Sequence, residues 1–338
     1  MSVRTNPSTH TAAFQREVVE WFQAEGRDYP WRRTRDPYAI LVSEMMLQQT
    51  QIATVLGRRY FEKWLEKFPT VEILAQADEA ELLRVWEGLG YYRRARNLQR
   101  AAQVVVRDYG GVFPNSVAEL ERLPGLGRYT AGAVATFAFG AAVPIVDANI
   151  ARVLARLYNY REEIDSSSGQ TFLWNTAALL VPQQGARDYN SGLMELGQRL
   201  CTPRSPQCGA CPVQAHCAGT HQQPETLPVK RPPRSTVHLT EHVAWAVRDG
   251  ALLLHQEQGQ RRQGLWKLPE RPEDIFLRQS APVMASLTYT ITHHRVRLRV
   301  YEAPWFIQNS SEFWHPLEDL AALPMPSPYR KIINSIEF

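Results

Sequence analysis

Four cysteines, the only ones in the chain, fall within seventeen residues as Cys201, Cys208, Cys211 and Cys217. Their spacing, C-x6-C-x2-C-x5-C, lets four thiolates surround one soft metal centre, and thiolate sets select zinc or iron–sulfur. A C-x2-C pair is common in structural zinc sites. Uneven outer spacings, with Pro203, Pro206 and Pro212 interspersed, suit a cubane cluster equally well. The N-terminal MSVRTNPSTH has no apolar core of a secretory signal, so a reducing compartment is expected and disulfides are disfavoured. A closed four-thiolate site is structural or electron-transferring, so any hydrolytic chemistry has to reside elsewhere.

A chain of 338 residues is long for one core, and two domains are expected. From Ala12 to about Arg199 the apolar spacing predicts successive helices with short connectors: around 14–22, 39–49, 71–74, 79–86, 94–109, 117–123, 129–139 and 149–157. Pro224, Pro228, Pro232 and Pro233 mark 219–236 as a linker. Beyond it, 242–256, 286–292 and 297–304 read as strands, with Val296, Leu298 and Val300 alternating with Arg295, Arg297 and Arg299. The longest small-apolar run, 131–146, is too short to span a bilayer and contains Pro144. Five of the 38 basic residues are lysines, Lys63, Lys67, Lys230, Lys267 and Lys331. Arginine forks suit phosphate contacts, although a genome-wide base bias explains the preference equally well.

Leu123-Pro124-Gly125-Leu126-Gly127 followed by Arg128-Tyr129-Thr130 reads as helix, tight glycine turn, helix. Gly125 and Gly127 permit close backbone approach to a phosphate at the positive end of the second helix, whereas a plain packing turn is the alternative. Glu44 lies in the apolar stretch Tyr38–Leu47. Buried there it would hold its proton and suit acid catalysis; on a wet face it would do neither. Asp147, before the helix opening near Asn149, is either a simple helix cap or the ionised partner of such an acid.

Taken together these segments resemble the helix-hairpin-helix superfamily of base-excision glycosylases, and in detail its adenine-specific mismatch branch. The resemblance rests on SEMMLQQTQ (43–51), GLGYYRRARNL (88–98), LPGLGRYTAGA (123–133), VDANIARVLAR (146–156) and MELGQRLC to CPVQAHC (194–217). It implies a [4Fe-4S] cluster on the four cysteines rather than zinc. Glu44 matches the general acid that protonates adenine, and Asp147 the carboxylate that stabilises the oxocarbenium-like sugar, with Asn149 orienting the pocket. The family's D-G-N is here Asp147-Ala148-Asn149, which is tolerable if residue 148 has negative φ. Related bifunctional enzymes carry a nucleophilic lysine where this chain has Tyr129, so hydrolysis to an abasic site is expected. Gln49 and Tyr91 match residues that wedge into the duplex, and Gln48 is expected to touch the displaced base. Arg93, Arg94 and Arg96 are candidate phosphate contacts.

Residues 237–338 resemble the Nudix-like second domain of these enzymes, with Gly264-Leu265-Trp266-Lys267-Leu268-Pro269 at a turn into a strand and without the acidic hydrolase signature. The family's F-S-H hairpin, which inspects 8-oxoguanine, corresponds to Ile291-Thr292-His293. Threonine keeps the hydroxyl and isoleucine loses the ring. The expected architecture is therefore a mainly α helix-hairpin-helix domain at 8–218, containing the hairpin (120–135) and cluster loop (201–217), then the linker and a smaller α/β Nudix-like domain. The expected substrate is duplex DNA with adenine opposite 8-oxoguanine or guanine, acted on by a cytoplasmic, bacterial, nucleoid-associated monomer without membrane contact. A thymine or uracil mismatch glycosylase on the same scaffold, and a noncatalytic DNA-binding protein with a structural cluster, are the alternatives.

Overall fold

The computed structural model describes residues 7–259 and 262–336. Twelve helices come first: α1 (Pro7–Glu25), α2 (Pro37–Leu47), α3 (Ile52–Gly57), α4 (Tyr60–Lys67), α5 (Val71–Gln76), α6 (Glu79–Val85), α7 (Arg93–Tyr109), α8 (Val117–Leu120), α9 (Arg128–Phe139), α10 (Ala148–Leu157), α11 (Ser167–Leu180) and α12 (Ala186–Arg199). Strands β1 (Val237–Trp245), β2 (Val247–Arg248), β3 (Ala251–Gln256) and β4 (Trp266–Lys267) follow. Then come α13 (Glu273–Arg278), β5 (Val283–Ile291), β6 (His294–Glu302), β7 (Glu312–Pro316) and α14 (Ser327–Ile333). A mainly helical part thus precedes a smaller mixed α/β part, and among the described residues no helix is long and apolar enough to cross a membrane.

Two compact units form. One comprises the chain up to Gln48 and Arg100–Pro232; the other comprises Gln49–Gln99 and the chain from Pro233 onward. In the first, α10 runs through the centre, packed on α11 and α12, with Ile150, Leu154, Leu173, Tyr189 and Leu193 in its core. Helix α2 lies against α9. Its start is fixed by Asp36, which accepts from the amides of Tyr38 (3.0 Å) and Ala39 (3.2 Å), with Pro37 pre-set in the first turn. Helix α8 is shorter than its sequence suggests. The chain turns after Leu120 because Pro124 has no amide to continue the helix.

The second unit joins short helices to two sheets. Trp64 packs edge-on against Phe68 and Trp86, anchoring α4 to α6. Glu87 then meets Arg330 of α14 (2.8 Å) and the amide of Met325 (3.2 Å), while the Tyr92 hydroxyl donates to the Met325 carbonyl at 2.8 Å. These contacts explain why residues distant in sequence share this unit. The larger sheet runs β1–β6–β5, with β1 parallel and β5 antiparallel to the central β6. The other has β3 paired with β2, β4 and β7. The single strand expected over 242–256 falls across three strands, the end of β1, then β2 and β3; between the last two, Asp249 and Gly250 both take positive φ (49° and 74°) and turn the chain. The alternation along β6 holds: Val296, Leu298 and Val300 are buried, whereas Arg295 and Arg297 are exposed.

Leu298 is fully buried in the central strand, so Leu298→Ala is expected to cost about 2–5 kcal/mol. Thr288→Ala, at an exposed position of β5, should stay within about 0.5 kcal/mol. Urea denaturation followed by tryptophan fluorescence checks both; equal costs would contradict the assigned register.

Candidate active site

Three elements of the first unit bring polar groups into an otherwise apolar interior. On α2 every residue from Tyr38 to Met46 is buried, Glu44 included, at 6% exposure. The glutamate therefore sits inside the helix packing rather than on a wet face. The hydroxyl of Tyr129, in the first turn of α9, donates to Glu44 Oε2 at 2.8 Å. Burial is the main influence on this carboxyl and raises its pKa to about 7; the Tyr129 hydrogen bond opposes the rise and the charge of Asp147 adds to it. Burial, followed by the Glu44 and Asp147 charges, holds the Tyr129 phenol well above its usual range, so it stays a donor. Gln48, at the end of α2, donates to Thr130 Oγ1 at 3.3 Å.

Asp147 caps α10, accepting from the Ile150 amide at 2.7 Å, and its other oxygen accepts from Asn149 Nδ2 at 2.7 Å. Capping and proximity to the Glu44–Tyr129 pair belong to one residue, not to two competing readings. Burial raises its pKa, and the amide and Asn149 bonds work against that rise. Ala148 is the first helical residue and is not among the positive-φ positions, so its methyl group is accommodated without strain.

The same helix reaches the cysteines. Arg152 donates to Asn149 Oδ1 (2.9 Å), the Gly197 carbonyl (2.7 Å) and the Cys201 carbonyl (2.7 Å). One turn on, Arg156 donates to the Thr202 carbonyl (2.7 Å) and Cys201 Sγ (3.3 Å). Sequence reasoning did not single out either arginine; two arginines four apart on an otherwise apolar helix were the available signal. Cys201, Cys208, Cys211 and Cys217 line one cavity with Arg156. Burial pushes the thiols of Cys201, Cys208 and Cys211 up, that of Cys211 to about 11. No three His, Cys, Asp or Glu side chains among the described residues converge tightly enough for a single metal ion.

In the hairpin before α9, Leu123 and Leu126 are buried and Gly125 has φ +81°. Gly127 occupies the N-cap position without a side-chain cap, and a Cβ there would meet nothing within 4 Å. The first amides of this twelve-residue helix thus have no side-chain cap from residue 127.

The remaining candidates belong to the second unit. Gln49, Tyr91 and Thr292 all adopt left-handed backbone, with φ of 56°, 47° and 55°. Non-glycine residues held there concentrate at functional sites. Tyr91 is 48% exposed. Arg94 is not a surface phosphate contact. It is buried, donates to the Leu89 and Gly90 carbonyls and to Thr50 Oγ1, and lies 5.6 Å from the Tyr91 ring centroid. Arg96 is likewise engaged, pairing with Glu79 and the Gln263 carbonyl, which leaves Arg93 exposed. Thr292 and His293 form the β5–β6 turn and line a surface depression with His238 and Arg295, whereas Ile291 faces the other side with Leu239 and Val296.

The raised Glu44 pKa has a stability consequence. The folded state binds this proton more tightly than the unfolded chain, so stability falls as pH rises from the ordinary 4.5 through about 7. Glu44→Gln removes the penalty. Its stability relative to the parent should rise across that window and reach on the order of 3 kcal/mol above pH 7. Urea unfolding at pH 5 and pH 8 tests this; a difference independent of pH would contradict it.

Comparison with known proteins places this geometry. Residues 42–176 match the HhH-GPD superfamily base excision DNA repair protein family, and residues 201–217 match the iron-sulfur binding domain of endonuclease III. The chain is 44% identical over 214 residues to the human adenine DNA glycosylase, covering 61% of this chain and 39% of that protein, so it spans about two fifths of that relative. It is 44% identical over 202 residues to the adenine DNA glycosylase of Mycolicibacterium smegmatis, covering 60% and 67% of the two chains. A solved thermostable thymine-DNA glycosylase aligns over 62% of this chain and 96% of its own, with 33% identity and a TM-score of 0.57. With the hairpin region matched to HhH-GPD base excision repair proteins and the cysteine loop to the endonuclease III iron-sulfur domain, the chain belongs to the adenine DNA glycosylase family.

Proposed function

We propose that this protein is a monofunctional DNA glycosylase that hydrolyses the N-glycosidic bond of adenine opposite 8-oxoguanine or guanine in duplex DNA. The observation that carries the reading is the buried Glu44 carboxyl, hydrogen-bonded to Tyr129, within the electrostatic reach of Asp147. An extruded adenosine receives the Glu44 proton on its base, at N7. The bond from C1′ to N9 breaks and its electron pair leaves with the adenine. Ionised Asp147, held by Asn149 and the Ile150 amide, balances the positive charge left on the sugar. Water adds at C1′, loses a proton, and leaves an abasic site. Tyr129 keeps Glu44 in position and offers no amine to attack the sugar, so no covalent enzyme–DNA adduct forms.

Residues 8–218 are proposed as the functional glycosylase domain, 219–236 as the linker and 237–338 as a Nudix-like domain that inspects the opposite base through Thr292 and His293. The sequence segment 264–269 and the parallel β1–β6 pairing support that assignment. Gln48, Gln49 and Tyr91 would contact the opened duplex, and Gly125 and Gly127 its backbone. The four cysteines line one cavity, and the match of residues 201–217 to the iron-sulfur binding domain of endonuclease III supports reading them as the ligands of a [4Fe-4S] cluster. Such a cluster would supply structural or electron-transfer chemistry, and Arg156 beside Cys201 would offset its thiolate charge. A thymine or uracil substrate is the second reading, kept because of the structural likeness to a thymine-DNA glycosylase.

Duplexes carrying A·8-oxoG, A·G, T·G and U·G separate the two readings. Base release is expected from the first two, with strand cleavage only after alkali and no adduct trapped by borohydride. Release from T·G or U·G alone would overturn the adenine assignment. Glu44→Gln is expected to slow release by about 10²–10⁴-fold, and Asp147→Asn by about 10²–10³-fold, with duplex binding retained. In the parent protein the single-turnover rate should fall as pH rises above about 7, where Glu44 loses its proton. A rate that rises across the same range would remove Glu44 as the acid. Purified protein should be brown and contain iron and sulfide; zinc without iron would replace the cluster assignment.

A further inference from the structure

We propose that the outward face of the β1–β6–β5 sheet is a docking surface for the phosphate backbone of duplex DNA, with Arg295 and Arg297 as its principal contacts. Side chains on one face of a strand recur every second residue, and Arg295, Arg297 and Arg299 occupy that face of the central strand. Across the ladder, Arg295 is flanked by His238 and Thr290, and Arg297 by Thr240 and Thr288. None of these four flanking residues carries a negative charge. Arg299 differs: it meets Glu273 of α13 at 3.0 Å. Among the described residues, no carboxylate lies within ion-pairing distance of Arg295 or Arg297, and both are exposed.

Two ordinary explanations for such a face fail here. Charges often guard a sheet edge against unwanted pairing, but β6 is the central strand, bonded on both sides. Nor do opposite charges across the ladder balance the arginines: their cross-strand partners are His238, Thr240, Thr288 and Thr290, so the repulsion between the two like charges is left uncompensated. A polyanion removes that repulsion, and planar guanidinium forks grip phosphate oxygens while threonine hydroxyls supply further donors. The face also continues into the depression holding Thr292 and His293, the turn proposed to read the base opposite adenine. The surface thus grips backbone beside a reading element and carries no sequence information of its own.

This inference rests on duplex DNA being the partner, and the test separates its failure from failure of the enzymatic reading. The full-length double variant Arg295→Gln/Arg297→Gln is compared with the parent by fluorescence anisotropy on undamaged and A·8-oxoG duplexes between about 50 and 200 mM salt. Neutralising two phosphate contacts should reduce the slope of log affinity against log salt by about 1.8. Over that fourfold range the parent would lose roughly tenfold more affinity than the variant. A control that neutralises two exposed arginines elsewhere, Arg16→Gln/Arg107→Gln, should keep the parental slope. An unchanged slope in the sheet variant, or an equal change in the control, overturns the surface. If the parent releases adenine while the slope is unmoved, the surface alone falls. If the slope moves in a protein that releases no base, the surface stands and the glycosylase reading falls.

Discussion

A carboxyl sealed into apolar packing resists ionisation, and the structure around Glu44 is arranged to keep one there. Helix α2 offers no polar face: Ile40, Leu41, Val42, Met45 and Met46 are as buried as the glutamate itself. The Asp36 cap and Pro37 set where the helix begins, and hence which interior position residue 44 occupies. Packing against α9 then delivers the Tyr129 hydroxyl, which satisfies one carboxyl oxygen without supplying a positive charge. A lysine at 129 would have favoured the ionised form. A phenol lets the proton remain while fixing the geometry, so position 129 sets both the acid's protonation and the absence of an amine nucleophile.

Helix α10 carries the second constraint. Its first turn fixes Asp147 through the Ile150 amide and Asn149, and its next two turns present Arg152 and Arg156 to the cysteine loop. The chain of bonds from Asp147 through Asn149 and Arg152 to the Cys201 carbonyl links the loop's placement to that of the carboxylate. Close approach at the same helix leaves no room elsewhere: a Cβ at Gly197 would lie 2.7 Å from Asn149 Cβ, and one at Gly219 would lie 2.4 Å from the Arg156 carbonyl oxygen. The cysteine loop thereby acts as a scaffold for the carboxylate at the start of α10.

Much of this was legible in the residues. Glu44 within an apolar stretch, the glycine turn before α9 and the spacing of four cysteines each carry a local physical signature that survives without coordinates. What was not legible depended on burial or on partners distant in sequence. Asp147 reads in the sequence as either a cap or a catalytic charge because sequence cannot show that its two oxygens are held separately, one by the Ile150 amide and one by Asn149. Arg94 was grouped with surface arginines because nothing local reveals that the Leu89 and Gly90 carbonyls wrap around it. The break at Asp249-Gly250 was present as a turn dipeptide, yet the apolar residues on both sides concealed it. The pairing of Glu87 with Arg330 and the Met325 amide has no local signal at all.

The two compact units divide their burdens differently. In the first, the polar groups of interest lie on helices or at their caps, where backbone hydrogen bonds and packing hold each one. In the second, Gln49, Tyr91 and Thr292 sit at turns and are held in left-handed backbone at the cost of on the order of 1–3 kcal/mol each. Such conformations persist only when their surroundings over-determine them. Around Tyr91 this role falls to Arg94, whose guanidinium bonds the carbonyls on the preceding turn and lies beside the ring. Around Thr292 it falls to the β5–β6 ladder, paired up to Ile291 and His294 on either side. Rigid placement suits a proton donor that must meet one atom of a base. A strained turn on a firm base suits side chains that have to project from the surface and enter a partner, and that contrast gives a physical reason to assign chemistry to the first unit and recognition to the second.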